Sequence, residues 1–476
     1  MPIHRSVPSS RSGFVRVFLA ATLAALLASC ASPPKVDAII DQPATPSAPK
    51  MVGARGPLSP QQSKAILARL QHESDTSDAV LERHMALQSA LADSPLVAGN
   101  KVELLRDGTA TFPAIFQAVR EARDHIHMEY FTFDDVQDGD QHMADLLLDK
   151  VRQGVAVSLI FDSYGSLQTK RELFKRLKDG GVQVVEFNPL NPLKSHGDFS
   201  LNDRDHRKIL IVDGVMAIIG GVNLDLVYMN GDRGSLPGMS STRLDPKSAF
   251  WSDTDIRITG PAVAELQKLF VATWKDQKGD PLVGNLFPQL TPQGKEVIRI
   301  LGSTPAESVP DYYVSVLSAI RNAEDKVWIT TAYFVPTKTE RHDLEDAARR
   351  GVDVRLLLPT SSDSASSLAV QHSYYEDLLE AGVKIYERPN VILHSKSAVI
   401  DDVWSVVGSS NFDHRSVLFN NEVDGVILGR ETARDMEAMF EDDFRTATRI
   451  DPETWRKRPA GTRFREFYSR FWKDLL

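Results

Sequence analysis

The sequence predicts an α/β protein built from two similar α/β/α halves, with one active site at the interface between them. Three observations predict it. The pattern His-x-Lys-x4-Asp occurs twice, as His206-Arg207-Lys208 running to Asp213 and as His394-Ser395-Lys396 running to Asp401, and each copy has an Asn 17 positions after its His, Asn223 and Asn411. Outside the motifs the chain repeats again: Ile126 to Phe131 corresponds to Val327 to Phe334, Gly154-Val155-Ala156-Val157 to Gly351-Val352-Asp353-Val354, and Gly181-Val182-Gln183-Val184 to Gly382-Val383-Lys384-Ile385. Each Gly-Val strand follows a helical run such as Met143 to Gln153 or Asp343 to Arg350, so both halves alternate helix and strand, the pattern of helices covering both faces of a mixed sheet. Neither half alone carries both histidines. The motifs are therefore expected to meet at a seam.

The elements follow in order. Residues 1–29 begin with Arg5, Arg11 and Arg16, continue through an apolar stretch from Phe14 to Leu27 and end Leu27-Ala28-Ser29 before Cys30. That is a signal-peptide layout, and the apolar stretch is shorter than the ~20 residues a spanning helix needs. The ending resembles a bacterial lipoprotein box, in which Cys30 becomes the acylated N-terminus. Cys30 is the only cysteine, which excludes an intramolecular disulfide. Residues 30–60, rich in Pro, Ala and Ser, read as a tether, and 61–94 have helical composition and apolar spacing. The two halves are assigned to 95–290 and 291–450. The first holds 19 extra residues between its motif and the acid that follows, centred on Met229 to Ser248, a polar loop that fits a lid or a solvated excursion equally well. Residues 451–476 carry Phe464, Phe467, Phe471 and Trp472 at helical spacings among Arg463, Arg465, Arg470 and Lys473, a pattern that suits either a membrane-facing helix or one packed on the body.

In each motif the His and Lys of His-x-Lys lie on one face of a strand, Ile209 to Val212 and Ser397 to Ile400 continue it, and turns at Asp213-Gly214 and Asp401-Asp402 reverse the chain. The small residues Gly220-Gly221-Val222 and Gly408-Ser409-Ser410 lead to the two asparagines, where backbone can approach a phosphate closely. Two imidazoles, two ammonium groups and two amides suit phosphodiester chemistry. Lys208, Lys396, Asn223 and Asn411 can stabilise nonbridging oxygens, one His can attack phosphorus, and the other can protonate the leaving alkoxide. Asp253 and Glu422, each seven residues before a Gly (Gly260 and Gly429), supply one carboxylate per half to orient an imidazole. Asp213 and Asp401 are grouped with the catalytic residues, with a bracing turn as their other reading. No metal or other cofactor is expected.

These residues resemble the phospholipase D superfamily, whose members build one site from two such motifs. The resemblance covers Pro95 to Leu476. Within it, Asp205 to Ile209 with Asp213-Gly214, Trp251 to Thr254 with Gly260 to Val263, Tyr333 to Pro336 and Gly408 to Ser416 are similar to the bacterial cardiolipin synthases. His414 stands where those synthases usually carry Pro, and Gly221 stands where the second copy has Ser409. The resemblance implies a phosphatidyltransferase forming cardiolipin from phosphatidylglycerol and a second phospholipid such as phosphatidylethanolamine, with His206 as nucleophile and His394 as acid. A phospholipase D hydrolase releasing phosphatidic acid shares every one of these residues. The formal charge of −9, more negative still once 1–29 are removed, weighs against a nuclease, and no nucleic-acid partner is expected. A non-catalytic lipid-binding lipoprotein would not need imidazole in duplicate. Ala31 after the cysteine implies, by resemblance to Gram-negative lipoproteins, an outer-membrane anchor and a periplasm-facing body.

Overall fold

A computed structural model of the chain describes residues 34, 36–40, 50–72, 84–85, 94–191, 200, 202–229, 244–246, 248–305, 307 and 310–470. The signal segment 1–29, Cys30, most of the tether, the centre of the first-half insertion and the aromatic residues Phe471 and Trp472 lie outside them.

Among the described residues, fourteen strands build the two main sheets. They are β1 (Leu96–Arg106), β2 (His125–Tyr130), β3 (Ala156–Asp162), β4 (Gln183–Phe187), β5 (Lys208–Val212), β6 (Met216–Gly220), β7 (Thr254–Thr259), β8 (Glu296–Ser303), β9 (Lys326–Thr330), β10 (Asp353–Pro359), β11 (Lys384–Arg388), β12 (Ser397–Ile400), β13 (Trp404–Gly408) and β14 (Asn420–Leu428). The first half is ordered β4-β3-β2-β5-β6-β7-β1, with β2, β3 and β4 parallel and every other pairing antiparallel. The second half repeats this as β11-β10-β9-β12-β13-β14-β8. Within each parallel trio successive strands are joined through a helix, because a parallel pairing requires a crossover.

β1 serves both halves. Its residues Lys101 to Arg106 pair with β7, while Val97, Ala98 and Asn100 pair with β8. The sheets then turn to face each other. Ile209, Ile211, Ile219, Ile256 and Ile258 meet Ile298, Ile300, Val407, Val423 and Ile427 in a shared core, flanked by the helices Val263–Asp276 and Arg430–Thr446. A side chain at Gly425 would come within 3.1 Å of Ile256 and 3.4 Å of Ile219, so the two sheets pack closely at this position. The outer faces are covered by helices Asp107–Glu121 and Met143–Arg152 in the first half, and by Asp311–Asn322, Lys338–Arg349 and Ala365–Ala381 in the second. Burial on both faces explains why β5, β12 and β13 read as largely apolar runs rather than as alternation.

The helix Pro60–His72 falls in the stretch expected to be helical. At the other end, Ala460–Ser469 is a helix that lies along Ala365–Ala381 through ion pairs, Arg463 with Glu376 and Arg470 with Asp377. Its Glu466 is buried against Arg458, whereas Phe464 is 70% exposed and Tyr468 55% exposed. Arg463 and Arg470 of this segment thus face acids of the same chain. Among the described residues no helix is long and apolar enough to cross a membrane.

Candidate active site

Both histidines enter the site from two-residue strands that pair with a segment of the opposite half. Arg204–Asp205 runs parallel to Asn420–Asn421, with the His206 amide donating to the Asn421 carbonyl at 2.9 Å. Ile392–Leu393 runs parallel to Trp251–Ser252, with the His394 amide donating to the Ser252 carbonyl at 2.7 Å. The next residue on each supporting segment is the acid. Glu422 therefore lies 3.0 Å from His206 Nδ1, and Asp253 lies 2.7 Å from His394 Nδ1. Each imidazole is oriented by the carboxylate of the other half. A group on Nδ1 fixes the tautomer and leaves Nε2 for substrate.

The histidines open on one cavity of about 660 Å³, lined also by Asn223, Asn411, Phe131, Tyr333 and Arg415. Both lysines are buried beneath it. The Lys208 amine donates to the His206 carbonyl at 2.6 Å, and the Lys396 amine donates to the His394 carbonyl and lies 2.7 Å from its Nδ1. An anion entering the cavity would compete for these amines. Asn223 accepts from the Thr132 amide at 3.2 Å.

Burial dominates the electrostatics. It pushes His206 down to about 4 against the opposing pull of Glu422, and it holds His394 well below its ordinary value with help from Lys396 and Lys208. Burial also lowers Lys208 to about 7 and Lys396 to about 8. The two acids diverge. Burial raises Asp253 to about 7, whereas Glu422, equally buried, is held below its ordinary range because His206, Lys208 and Ser409 outweigh the desolvation. Glu422 accepts hydrogen bonds from Ser409, Ser416 and Asn420 at 2.5, 2.9 and 3.0 Å. Asp253 accepts from the Thr254 amide at 2.8 Å.

Asp213 and Asp401 are placed elsewhere, which corrects their grouping with the catalytic residues. Each stands at the far end of its strand, roughly 16 Å along the chain from its lysine at ~3.3 Å per residue. Asp213, with φ of 53°, accepts from the backbone amides of Arg123, Asp124 and His125. Asp401, with φ of 51°, accepts from Glu324, Asp325 and Lys326 and contacts His84. They are turn acids that pin the start of β2 and β9 against the motif strand.

The sequence reading missed Tyr228, whose phenol lies 3.0 Å from His394 Nδ1 and 3.4 Å from Asn223. It stands five residues after Asn223, as Ser416 stands five after Asn411, so extending the motif comparison by five positions would have reached both. Trp251 and Tyr333 also stand edge-on or tilted to His394, at 5.3 and 6.2 Å between ring centres. Arg207, the middle residue of the first motif, is buried and ties the halves together, donating to the carbonyls of Glu422 and Ser303 at 2.9 and 3.1 Å.

A duplicated sheet whose central strand in each half starts from a His-x-Lys motif is the architecture of the phospholipase D class. The fold is similar to that of a phosphatidylserine synthase from Haemophilus influenzae, with a TM-score of 0.59 and 13% identity over 84% of this chain and 100% of that one. The family model described as cardiolipin synthase, phospholipase D-like domain, matches residues 115–234 and 316–444. A probable cardiolipin synthase of Bacillus subtilis is 32% identical over 83% of this chain and 76% of its own length. Cardiolipin synthase A of Pseudomonas syringae is 35% identical over 78% of this chain and 74% of its own. The chain belongs to the cardiolipin synthase-like family of the phospholipase D superfamily.

Proposed function

We propose that the protein is a phosphatidyltransferase that forms cardiolipin from phosphatidylglycerol and a second phospholipid, through a phosphohistidine on His206. The observation that carries the reading is the pair of crossed His–carboxylate contacts on one cavity, in a chain whose relatives are cardiolipin synthases. With Nδ1 directed to an ionised Glu422, the neutral His206 keeps a lone pair on Nε2 for attack on phosphorus. The P–N bond forms as the P–O bond to the donor's head-group alcohol breaks, and His394, loaded with a proton shared with Asp253, protonates that departing oxygen. His394 then takes the proton from the incoming phosphatidylglycerol hydroxyl, whose oxygen displaces His206. The anionic phosphate favours the charged forms of Lys208, Lys396 and His394 once it arrives, which offsets their burial. Asn223 and Asn411 line the cavity where nonbridging oxygens would lie.

The same reading places the body at a membrane surface, held by acylated Cys30 and the tether, facing the periplasm from the outer membrane. Nucleic acid is not among its expected substrates. Purified full-length protein in mixed phosphatidylglycerol and phosphatidylethanolamine vesicles should yield cardiolipin, and should do so in EDTA. Phosphatidic acid alone would make it a hydrolase, and no product would remove the catalytic reading. Mass spectrometry of the N-terminal peptide should find a lipid-modified Cys30; an intact residue 1 would overturn the anchor.

A further inference from the structure

The duplicated fold supplies its own control for the mouth of the cavity, because equivalent loops of the two halves form its opposite lips. The loop after β3 and the loop after β10 correspond, and so do the segments after Asn223 and Asn411. Both latter segments join the sheet the same way, through the bridges Phe133 to Leu224 and Phe334 to Phe412 and the amides of Asp134 and Val335 donating to Leu224 and Phe412. Yet their surfaces differ. On the first-half lip Tyr164 is 58% exposed, Leu167 47% and Leu226 50%, three of the eight large hydrophobic residues exposed among those described. On the second-half lip stand Ser362, Asp363 and Ser364, with Tyr333 donating to Asp363 at 2.9 Å, and Arg415. There the apolar Val417 is buried against Val36 and Ile40.

Tyr164 and the neighbour of Leu226, Val227, line the cavity, and Leu167 is joined to Tyr164 by a backbone hydrogen bond of 3.2 Å. Both loops are tied to the same short segment, since Thr132 donates to the Gly165 carbonyl and Asp134 to the Leu224 carbonyl. Tyr164 on one loop and Val227 on the other thus bring both loops to the catalytic cavity, with Leu167 and Leu226 exposed beside them. Isolated exposed leucines need no explanation, but apolar groups gathered at the entrance of a lipid-processing site do. We infer that Tyr164, Leu167 and Leu226 form the surface on which the catalytic body seats on a phospholipid bilayer, so that a diacyl chain passes from the bilayer over this lip while its phosphate reaches the histidines. The inference rests on the lipid substrate proposed above. The four-residue turn Leu226–Met229 joins the two environments, with Leu226 facing out and Tyr228 buried on His394.

The test uses the full chain, and turnover rather than partitioning is read because an N-terminal anchor would hold any variant on vesicles. In Leu167→Ser/Leu226→Ser, cardiolipin formation from vesicle-embedded phosphatidylglycerol should fall about tenfold or more, as expected for lost insertion of two leucines, while turnover of dispersed short-chain phosphatidylglycerol stays within about twofold. In Leu226→Trp, vesicles containing brominated phospholipid should quench emission beyond that of the parent protein. Equal losses on both substrates, unchanged vesicle turnover, or no added quenching would overturn the lip. If the parent protein makes no cardiolipin from either substrate, the catalytic reading fails, and quenching still reports on the lip.

Discussion

His206 and His394 begin from the same three-residue pattern and end in opposite surroundings. Behind His206 stands a glutamate that three side chains hold ionised, and a carboxylate accepting several hydrogen bonds keeps its charge even when buried. Behind His394 stands an aspartate raised to about 7 by burial, with a tyrosine phenol beside the same imidazole nitrogen. One pair is built as a neutral imidazole backed by a fixed negative charge. The other shares a mobile proton near neutral pH. Pairs of titratable groups whose environments separate their behaviour are where nucleophile and acid part company. The duplication thus supplied two copies of one scaffold, and the residues behind the histidines made them unequal.

The largest test removes either imidazole. His206→Ala and His394→Ala should each lower turnover by roughly 10⁵ or more, as for other residues that act as a unit. Only the His394 variant should still accumulate a phosphohistidine with a substrate whose leaving group needs no protonation. A label on His394 in the His206 variant would reverse the two roles. Next come the acids. Glu422→Gln should cost on the order of 10³–10⁴ in kcat, and Asp253→Asn only about 10², because an amide imitates the protonated form that Asp253 already populates near pH 7. Equal losses would erase the distinction between the two carboxylates.

The pH profile sharpens the contrast further. Lys208 and Lys396 are lowered to about 7 and about 8, so each is charged below that value and neutral above it. kcat/KM should therefore decline as pH rises through 7 to 8. Lys396→Arg, which stays charged, should flatten the upper part of that decline, and an unmoved limb would assign it to another group. Tyr228→Phe should cost about tenfold in kcat, the worth of one hydrogen bond to a reacting group, with little change in KM. The smallest effect on chemistry is expected at Asp213→Asn. It should lower stability by about 1–3 kcal/mol through three weakened amide contacts, measured by denaturant unfolding, and leave kcat unchanged.

The repeat made the fold legible, because Gly-Val strand starts and apolar runs recur at matched places and dictate two copies of one sheet. The paired histidines, lysines, asparagines and acids were legible for the same reason. What could not be read was the crossing of acids between halves, which depends on Asn420-Asn421 and Trp251-Ser252 pairing with strands remote in sequence. Tyr228 escaped because its counterpart is Ser416, a residue of different size that reaches the glutamate instead of the histidine. Asp213 and Asp401 share the motif spacing with the reacting groups, yet that spacing expresses a turn in the left-handed region that closes β5 on β6 and β12 on β13. Regularity in a sequence marks what the backbone repeats as well as what the chemistry needs.

The strand shared by the two sheets bears on how the chain is made. β1 emerges early, and Lys101 to Arg106 find β7 once residue 259 has been synthesised. Val97 to Asn100 must wait for β8, some forty residues later, or a delay of about 2–8 s at 5–20 residues per second. During that interval Leu96 and Val97 hold Met51 and Val52, but the edge of Val97 to Asn100 that takes β8 stays open, the kind of edge that invites pairing with another chain. The first half therefore cannot finish alone, and the order of synthesis leaves its last open edge as the template on which the second half begins.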